Sequence, residues 1–512
     1  MDHFKCLYDA PLVMTDKGPV RGYHWNHVDI FKGIPYAQAK RFHAPEEVPA
    51  WKQARDCTTY GYVCPLLQLN LPQGETMVPH RYWVMNENCQ NLNVWTPACD
   101  DGKRPVMIWL HGGGYTDGSA IEQLAYEGEN MAHFGDVVVV SVNHRLNILG
   151  YFDLSDFGPE YENSGNAGGD DIIAALKWVN RNIEAFGGDP DNITVFGQSG
   201  GGAKVTTLLQ SPDADGLFRK GIVMSGVINL LHDVPGTACD CALEMMDVLK
   251  LASIRELEEV PYALLAQAYL KVKPALEAAG KNVGCHPHAN AHYAGDPMTA
   301  PGGFRKESLG VKLMVGSVFG EFGPFIPGGE NCDGSDVKAR ALVRRELGTE
   351  TAVRLLPIFE AAYPDRSPAD LLMLDTEFRG PEISYIAGFS QQGGIVYSYL
   401  FDQDFPYLGR TCPWHCSDIP FAFHNTELVP SADIPGVREQ LEAEVFGAYM
   451  SFAHEDAPGW AASTPGQEKT KIFSAASCVR TNFDHDLIAA AAPVLGPYVG
   501  RKMAETEAAA AH

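Results

Sequence analysis

The segment around Ser199 constrains the fold of this chain more than any other part of the sequence. Ser199 stands in the pattern Gly-Gln-Ser-Gly-Gly over 197–201, directly after the apolar run 193–196. Glycines on both sides of a serine let the chain turn sharply from a strand into a helix, so that the hydroxyl projects above the sheet edge. The pattern therefore predicts a strand, a tight turn and a helix, with Ser199 as a nucleophile at the turn.

A second glycine-rich segment lies upstream. The apolar run 106–110 predicts a buried strand, and it continues into His-Gly-Gly-Gly-Tyr over 111–115. Successive glycines permit a backbone in which several N–H groups point at one oxygen, without side chains in the way. This segment indicates an oxyanion loop, and we predict that the donors are the amides of Gly113, Gly114 and Gly200.

A nucleophilic serine needs an acid and a base. In folds that present the serine at such a strand-to-helix turn, they follow it along the chain in the order Ser, Asp or Glu, His. Glu321 comes soon after the strand candidate 311–316, and His415 lies in the loop after the strand candidate 395–400. We predict that His415 takes the proton of Ser199 and that Glu321 orients and stabilises the imidazole. Spacing alone does not select the acid. Other carboxylates are candidates by position: Asp402, Asp404 and Asp418.

Several long segments of the chain are similar to one known family. They are 31–37 with 41–42, 88–97, 143–146 with 150–151, 165–171, 174–179 and 186–190. These segments resemble the type-B carboxylesterases, relatives of the cholinesterases. The resemblance implies an α/β-hydrolase fold, with a central, mostly parallel sheet flanked by helices and helical insertions around an active-site gorge. It also puts Glu321 and His415 at the positions of the family's triad acid and histidine, and Asp418 at a supporting position.

Four features depart from the pattern of that family. Gln198 stands where the family usually has Glu, which removes a negative charge close to the predicted nucleophile. That charge helps cholinesterases to attract cationic substrates, so its absence predicts uncharged esters. Gly200 replaces the usual Ala but keeps the backbone donor, and Phe322 replaces the usual Gly, where its ring is expected to fill part of the pocket. After Ala37 the chain is shorter, which we expect to alter the rim of the gorge.

The residues and the resemblance together predict a serine carboxylesterase that hydrolyses uncharged carboxylic esters through an acyl-enzyme intermediate. Acyl transfer to an alcohol or amine remains an alternative, because water's access to the site decides between hydrolysis and transfer. Amide cleavage and lactone cleavage by the same residues also remain alternatives. A non-catalytic, neuroligin-like binding protein is the remaining alternative. Relatives of that kind typically lose the serine or the histidine, whereas this chain keeps both.

Chain length and composition agree with one large soluble enzyme. The 512 residues are 45% hydrophobic and 20% charged, which is enough to bury a large core. Because candidates from Ser199 to His415 have to meet on one sheet, we predict a single α/β-hydrolase domain over 1–512. Apolar residues recur at helical spacing on both sides of Glu321, which predicts helical insertions at roughly 230–305 and 330–392.

Net charge and the start of the sequence bear on partners and location. There are 39 Lys and Arg against 64 Asp and Glu, a formal charge of −25, without a sizeable basic cluster. Nucleic acid and anionic membranes are therefore not expected as partners. The expected partner is a small-molecule ester substrate, as the resemblance implies. The first residues lack the apolar core of a signal peptide, so we expect a cytoplasmic protein. The sequence does not predict an oligomeric state.

Cysteine usage gives a second indication of the compartment. The chain has 12 cysteines, few for its length, and we expect thiols. Cys64 and Cys89 match the pair that secreted relatives of the family bridge, and here we expect both to be reduced. Cys412 and Cys416 flank His415, where we interpret them as buried thiols that pack the loop.

One segment has the residue types of a metal site. Cys285, His286, His288 and His292 have spacings that zinc could use, but a zinc site needs three or four ligands that converge. We interpret the segment as a His-rich loop and predict neither a metal nor a cofactor. By the resemblance this loop approaches the active site, so His286 or His288 is a candidate contact of the substrate.

Overall fold

The structure is a computed structural model, which describes residues 4–8, 10–68, 78–228, 237–328, 334–407 and 410–510. The fold divides the chain into two units. The first unit comprises Met1–Thr76, His80–Ile222 and Asn229–Val311. The second unit comprises Met77–Pro79, Val223–Ile228 and Lys312–His512.

The first unit contains both glycine-rich segments. Its described strands are β1 (Leu12–Met14), β2 (Pro19–Arg21), β3 (Tyr23–Trp25), β4 (Val28–Pro35), β5 (Arg55–Asp56), β6 (Asn91–Thr96), β7 (Arg104–Leu110), β8 (Val138–Val142) and β9 (Gly188–Gln198). Its described helices are α1 (Glu129–Gly135), α2 (Asn147–Gly150), α3 (Ala167–Asn182), α4 (Gly200–Leu209), α5 (Thr237–Leu249), α6 (Glu256–Glu259) and α7 (Tyr262–Ala278). A further strand, β10 (Lys220–Met224), crosses the boundary between the units.

The sheet of the first unit brings the two glycine-rich segments together. Its order is β3-β4-β6-β8-β7-β9, and β7 runs parallel to both β8 and β9. Leu110 at the end of β7 lies opposite Gly197 near the end of β9. The residues that follow the two strands therefore start side by side at one edge of the sheet.

Burial explains why these segments form strands. β6 and β8 are buried along their whole length, and β7 is buried beyond Arg104. Strands covered on both faces read as continuous apolar runs, as in the Val-rich β8. Helix α3 buries one face, on which Ala175, Trp178 and Val179 recur at helical spacing. This face covers part of the sheet.

The second unit contains the segments that follow the predicted nucleophile. Its strands are β11 (Lys312–Val318), β12 (Val396–Phe401), β13 (Phe405–Tyr407), β14 (Arg410–Cys412), β15 (Lys469–Phe473) and β16 (Cys478–Thr481). Its described helices are α8 (Asp336–Leu347), α9 (Thr349–Ala362), α10 (Arg379–Gln391), α11 (Ile419–Ala422), α12 (Arg438–Glu455) and α13 (His485–Ala510).

Parallel pairing of the strands puts the segments that lead to Glu321 and His415 at the same edge of the second unit's sheet. The strand order is β11-β12-β15-β16, in which β11, β12 and β15 are parallel and β16 is antiparallel. Val318 at the end of β11 lies opposite Phe401 at the end of β12. Glu321 therefore follows β11 at the same edge from which the chain leaves β12 toward His415.

Helices occupy both segments that were predicted as insertions. Helices α5 to α7 lie within 230–305, and α8 to α10 lie within 330–392. The single domain over 1–512 stays a prediction. Among the residues that the structure describes, no helix is long and apolar enough to cross a membrane.

Arg145 and Asp171 form a buried ion pair in the first unit. Nε and Nη2 of Arg145 donate to the two carboxylate oxygens of Asp171 at 2.8 and 2.7 Å. Nη1 of Arg145 donates to the backbone carbonyls of Lys40 and His43. The pair therefore ties α3 to the segment between β4 and β5.

We expect Asp171→Ala to lower the free energy of unfolding by about 3–5 kcal/mol, because the variant leaves a buried guanidinium without its partner. Asp247→Ala is the matched control. It breaks a pair with Lys250 in which both side chains are 78% exposed, and it should cost less than about 1 kcal/mol. Denaturant unfolding of both variants measures the difference, and equal losses would contradict the prediction.

Candidate active site

Ser199 has a strained backbone between strand β9 and helix α4. Its φ is 55° and its ψ is −125°, a conformation that residues with a side chain rarely adopt. Such strain costs about 1–3 kcal/mol and concentrates at functional sites. The turn also puts Ser199 at the position just before α4, whose first residue is Gly200. The sharp strand-to-helix turn that the sequence predicts is thus present.

Close contacts of the backbone explain why glycines flank the serine. A Cβ added to Gly201 would lie 1.9 Å from the carbonyl oxygen of Leu110, and one added to Gly200 would lie 2.2 Å from that of Gly114. A side chain at either position would clash with the main chain that follows β7. The glycines therefore let the segment 111–115 approach the start of α4.

The segment 111–115 lies beside Ser199. A Cβ added to Gly112 would lie 3.5 Å from the Cβ of Ser199. Gly113 and Gly114 have φ values of 83° and 62°, which side chains rarely tolerate. The three amides predicted as oxyanion donors, those of Gly113, Gly114 and Gly200, thus belong to a turn and a helix start that touch each other.

Glu321 and His415 contact each other directly in the second unit. Nδ1 of His415 lies 2.5 Å from Oε2 of Glu321, and the backbone N–H of His415 donates to the carbonyl of Glu321 at 2.9 Å. The Glu321 side chain is fully buried, whereas that of His415 is 19% exposed. With the shared proton on Nδ1, the other ring nitrogen, Nε2, can accept a proton.

Two further donors fix the Glu321 carboxylate. Oε1 accepts hydrogen bonds from the Val318 amide at 2.8 Å and from the Ser225 hydroxyl at 2.6 Å. Ser225 was not predicted from the sequence. The sequence feature that could have indicated Ser225 is its position directly after β10. β10 and β11 are sequential apolar strands, and the residues that follow such strands meet at one edge of the sheet.

The competing carboxylates have other partners. Asp402 and Asp404 both bind the guanidinium of Arg366. Asp418 accepts a hydrogen bond from the Tyr399 hydroxyl at 2.9 Å. Burial and then the negative charge of Glu321 raise the pKa of Asp418 to about 7.

Asp375 is a second buried carboxyl that the sequence analysis did not single out. It accepts hydrogen bonds from the amides of Glu377, Phe378 and Arg379 at the start of α10. Burial and then the charge of Glu321 raise the pKa of Asp375 to about 7, although the three amide hydrogen bonds lower it. Asp375 therefore shares the electrostatic environment of Glu321 while it caps a helix.

Two aromatic rings, 6.2 Å apart, lie next to the imidazole of His415. The ring of Phe378 lies 5.2 Å from it and the ring of Phe322 lies 6.4 Å from it, both nearly parallel to it. The sequence predicts that Phe322 fills part of a pocket. In the structure its ring packs beside the imidazole and against the core of the second unit.

The His-rich loop makes protein contacts. His292 pairs with Asp213, His286 pairs with Asn282, and Cys285 is buried near Tyr269. In the described part of the chain, no group of three or more His, Cys, Asp and Glu side chains could hold a metal ion. The structure gives no support to the zinc alternative.

Comparisons with known proteins identify the family to which the chain belongs. A model of the carboxylesterase family matches residues 9–332. Para-nitrobenzyl esterase of Bacillus subtilis is 32% identical over 461 residues, which are 87% of this chain and 90% of that protein. An esterase from Clostridium hathewayi, described as able to hydrolyse aliphatic aromatic polyesters, has a solved structure with 47% identity and a TM-score of 0.91. That match covers 96% of this chain and 100% of the other.

A solved carboxylesterase of Geobacillus stearothermophilus is also similar, with 32% identity and a TM-score of 0.70. It matches 94% of this chain and 99% of its own. These solved esterases confirm the predicted α/β-hydrolase fold. The chain belongs to the carboxylesterase family, and it is a carboxylic-ester hydrolase that acts on small-molecule esters. The non-catalytic alternative is therefore excluded.

Proposed function

We propose that this carboxylesterase hydrolyses uncharged esters through an acyl-enzyme formed on Ser199. In this proposal His415 is the general base and acid, Glu321 orients and stabilises its imidazole, and the amides of Gly113, Gly114 and Gly200 bind the oxyanion. The observation that carries the proposal is the strained backbone of Ser199 at the turn from β9 into α4. Strain of this kind is retained where it exposes a reacting group.

The proposed reaction has two halves. Oγ of Ser199 attacks the ester carbonyl carbon while Nε2 of His415 takes the hydroxyl proton. The tetrahedral oxyanion collapses, the imidazolium protonates the departing alkoxide, and an alcohol leaves. Water then attacks the acyl carbon with His415 again as the base, so that a carboxylic acid is released and Ser199 regains its proton.

The hydrogen bonds of Glu321 support its assigned role. A carboxylate that holds the Nδ1 proton fixes the tautomer in which Nε2 is the basic nitrogen, and it stabilises the imidazolium that forms in each half-reaction. The Val318 and Ser225 donors leave Glu321 little freedom to turn away from His415. The oxyanion donors contribute separately, at about 3–4 kcal/mol of transition-state stabilisation for each donor.

The neutral surroundings support uncharged esters as substrates. Gln198, next to the nucleophile, is fully buried and carries no charge. The rings of Phe322 and Phe378 beside His415 offer an apolar, aromatic surface to an acyl or alcohol group. The similarity to the Clostridium hathewayi esterase supports aliphatic aromatic polyesters and their soluble fragments as a substrate class for this chain.

Ser199→Ala tests the proposal. We expect turnover of a para-nitrophenyl ester to fall by about 10⁶, since loss of a triad nucleophile costs that much in a well-studied serine hydrolase. Activity on an aliphatic aromatic polyester fragment should fall in parallel, and circular dichroism should be unchanged. Product analysis of the wild type, with an added alcohol or amine, separates hydrolysis from acyl transfer. A folded variant that keeps wild-type turnover would rule out the assignment.

A pair of carboxamide variants tests the acid. Glu321→Gln should lower turnover by about 10⁴, because the amide no longer stabilises the required tautomer and the imidazolium. Asp418→Asn should cost far less, because burial already raises the pKa of Asp418 to about 7, and an amide resembles a protonated carboxyl. Turnover measured on both folded variants tests this expectation. A larger loss of turnover in Asp418→Asn than in Glu321→Gln would give the acid role to Asp418.

A further inference from the structure

Lys204 places a buried amine next to the segment 111–115. It lies in helix α4, and only 1% of the residue is exposed. Its Nζ donates a hydrogen bond to the carbonyl of His111 at 2.9 Å. Burying an ammonium group is costly, and an apolar side chain of the same length would fill this space without that cost. The presence of a lysine at this buried position therefore indicates a role other than packing.

Hydrogen bonds hold three successive carbonyls of the segment. The carbonyl of His111 accepts from Lys204, that of Gly112 accepts from Nδ1 of the His111 ring at 2.9 Å, and that of Gly113 accepts from the Asp117 amide at 2.9 Å. A peptide unit is planar and trans, so its N–H points opposite to its carbonyl. Holding these three carbonyls therefore aims the N–H groups of Gly112, Gly113 and Gly114.

The His111 ring can act in this way only in one protonation state. Burial, then the charge of Lys204, then His144, lower its pKa well below the usual range, so the ring is neutral. Its one proton sits on Nδ1, because Nδ1 faces the carbonyl of Gly112. The ring stacks on that of His144 at 5.1 Å, which fixes its plane. Lys204 thus holds the peptide plane between His111 and Gly112 directly, and it adds to the burial that keeps the His111 ring, which holds the next plane, neutral.

Burial, the largest effect, lowers the pKa of Lys204 to about 7, and the carboxyls of Glu122 and Asp117 act in the opposite direction. Both the ammonium and the neutral amine carry N–H donors, so the bond to His111 is available in either state.

We propose that Lys204 is a positioning residue for ester hydrolysis: it holds the peptide plane between His111 and Gly112, from which the segment 111–115 continues to the amides of Gly113 and Gly114 that bind the oxyanion. This inference rests on the proposed function, because those amides are its proposed oxyanion donors. It predicts an effect on the transition state rather than on substrate binding, because the oxyanion forms only after attack.

Lys204→Met is the test, since methionine keeps an unbranched apolar stem and removes the donor. We expect kcat to fall by about 10- to 100-fold, as for small misplacements of catalytic groups, while KM changes less than about twofold. The affinity for a trifluoromethyl ketone, which forms a tetrahedral oxyanion adduct on the serine, should fall by a similar factor. The affinity for a matched methyl carbinol, which forms no adduct, should not change.

Val205→Ala is the control for stability. Val205 is buried in the same helix and contributes no hydrogen bond to the segment 111–115 through its side chain, so its truncation should lower the unfolding midpoint with little change in kcat. If Lys204→Met does not fold, Lys204→Gln replaces it. Glutamine keeps an N–H donor on a shorter stem, and its kcat should again fall without a matching change in KM.

Two results would overturn the inference. One is a folded Lys204 variant with kcat within twofold of the wild type. The other is a loss of kcat that leaves the affinity for the trifluoromethyl ketone unchanged. Failure of the proposed function has a different signature, because Ser199→Ala would then keep its turnover whatever the Lys204 variants do.

Discussion

The close approach of the main chain at Leu110 and Gly201 is the constraint on which the site depends. The two backbones come so near that a Cβ on Gly201 would lie 1.9 Å from the Leu110 carbonyl. This approach follows from the pairing of β7 with β9, which puts Leu110 opposite Gly197. It sets the start of α4 against the segment 111–115 and leaves Ser199 in its strained conformation.

Helix α4 serves the site at two places along its length. Its first turn carries Gly200 beside Gly114, and its second turn carries Lys204 beneath His111. One rigid helix can thus fix both the turn that presents the serine and the loop that faces it. Sites built on regular elements hold their geometry better than sites built on loops alone.

Buried carboxyls shape the second unit in a related way. Glu321 is held by Ser225, Val318 and His415, whereas Asp375 and Asp418 lie near it with pKa values raised to about 7. Burial is the larger cause of both raised pKa values, and the nearby charge of Glu321 adds to it, because placing several ionised carboxylates together in a buried region is unfavourable.

The sequence predicted the parts of the site that local patterns determine. The strand candidates before Ser199 and Glu321 are present as β9 and β11, although β9 begins earlier, at Gly188, because Arg104 on β7 pairs with it there. Ser225 and Lys204 could not be assigned, because their roles depend on which distant segment they touch. The β13–β14 hairpin before His415 was also missed, since two three-residue strands leave almost no periodic signal.

Covalent labelling tests the central claim, that Ser199 is the nucleophile, most directly. The wild-type enzyme is treated with a fluorophosphonate, and the modified residue is located by tandem mass spectrometry of the digested chain. The account predicts one label per chain, on Ser199, with activity lost in proportion to labelling and no label on Ser199→Ala. Stoichiometric labelling of another residue, or full inactivation with Ser199 unmodified, would contradict it.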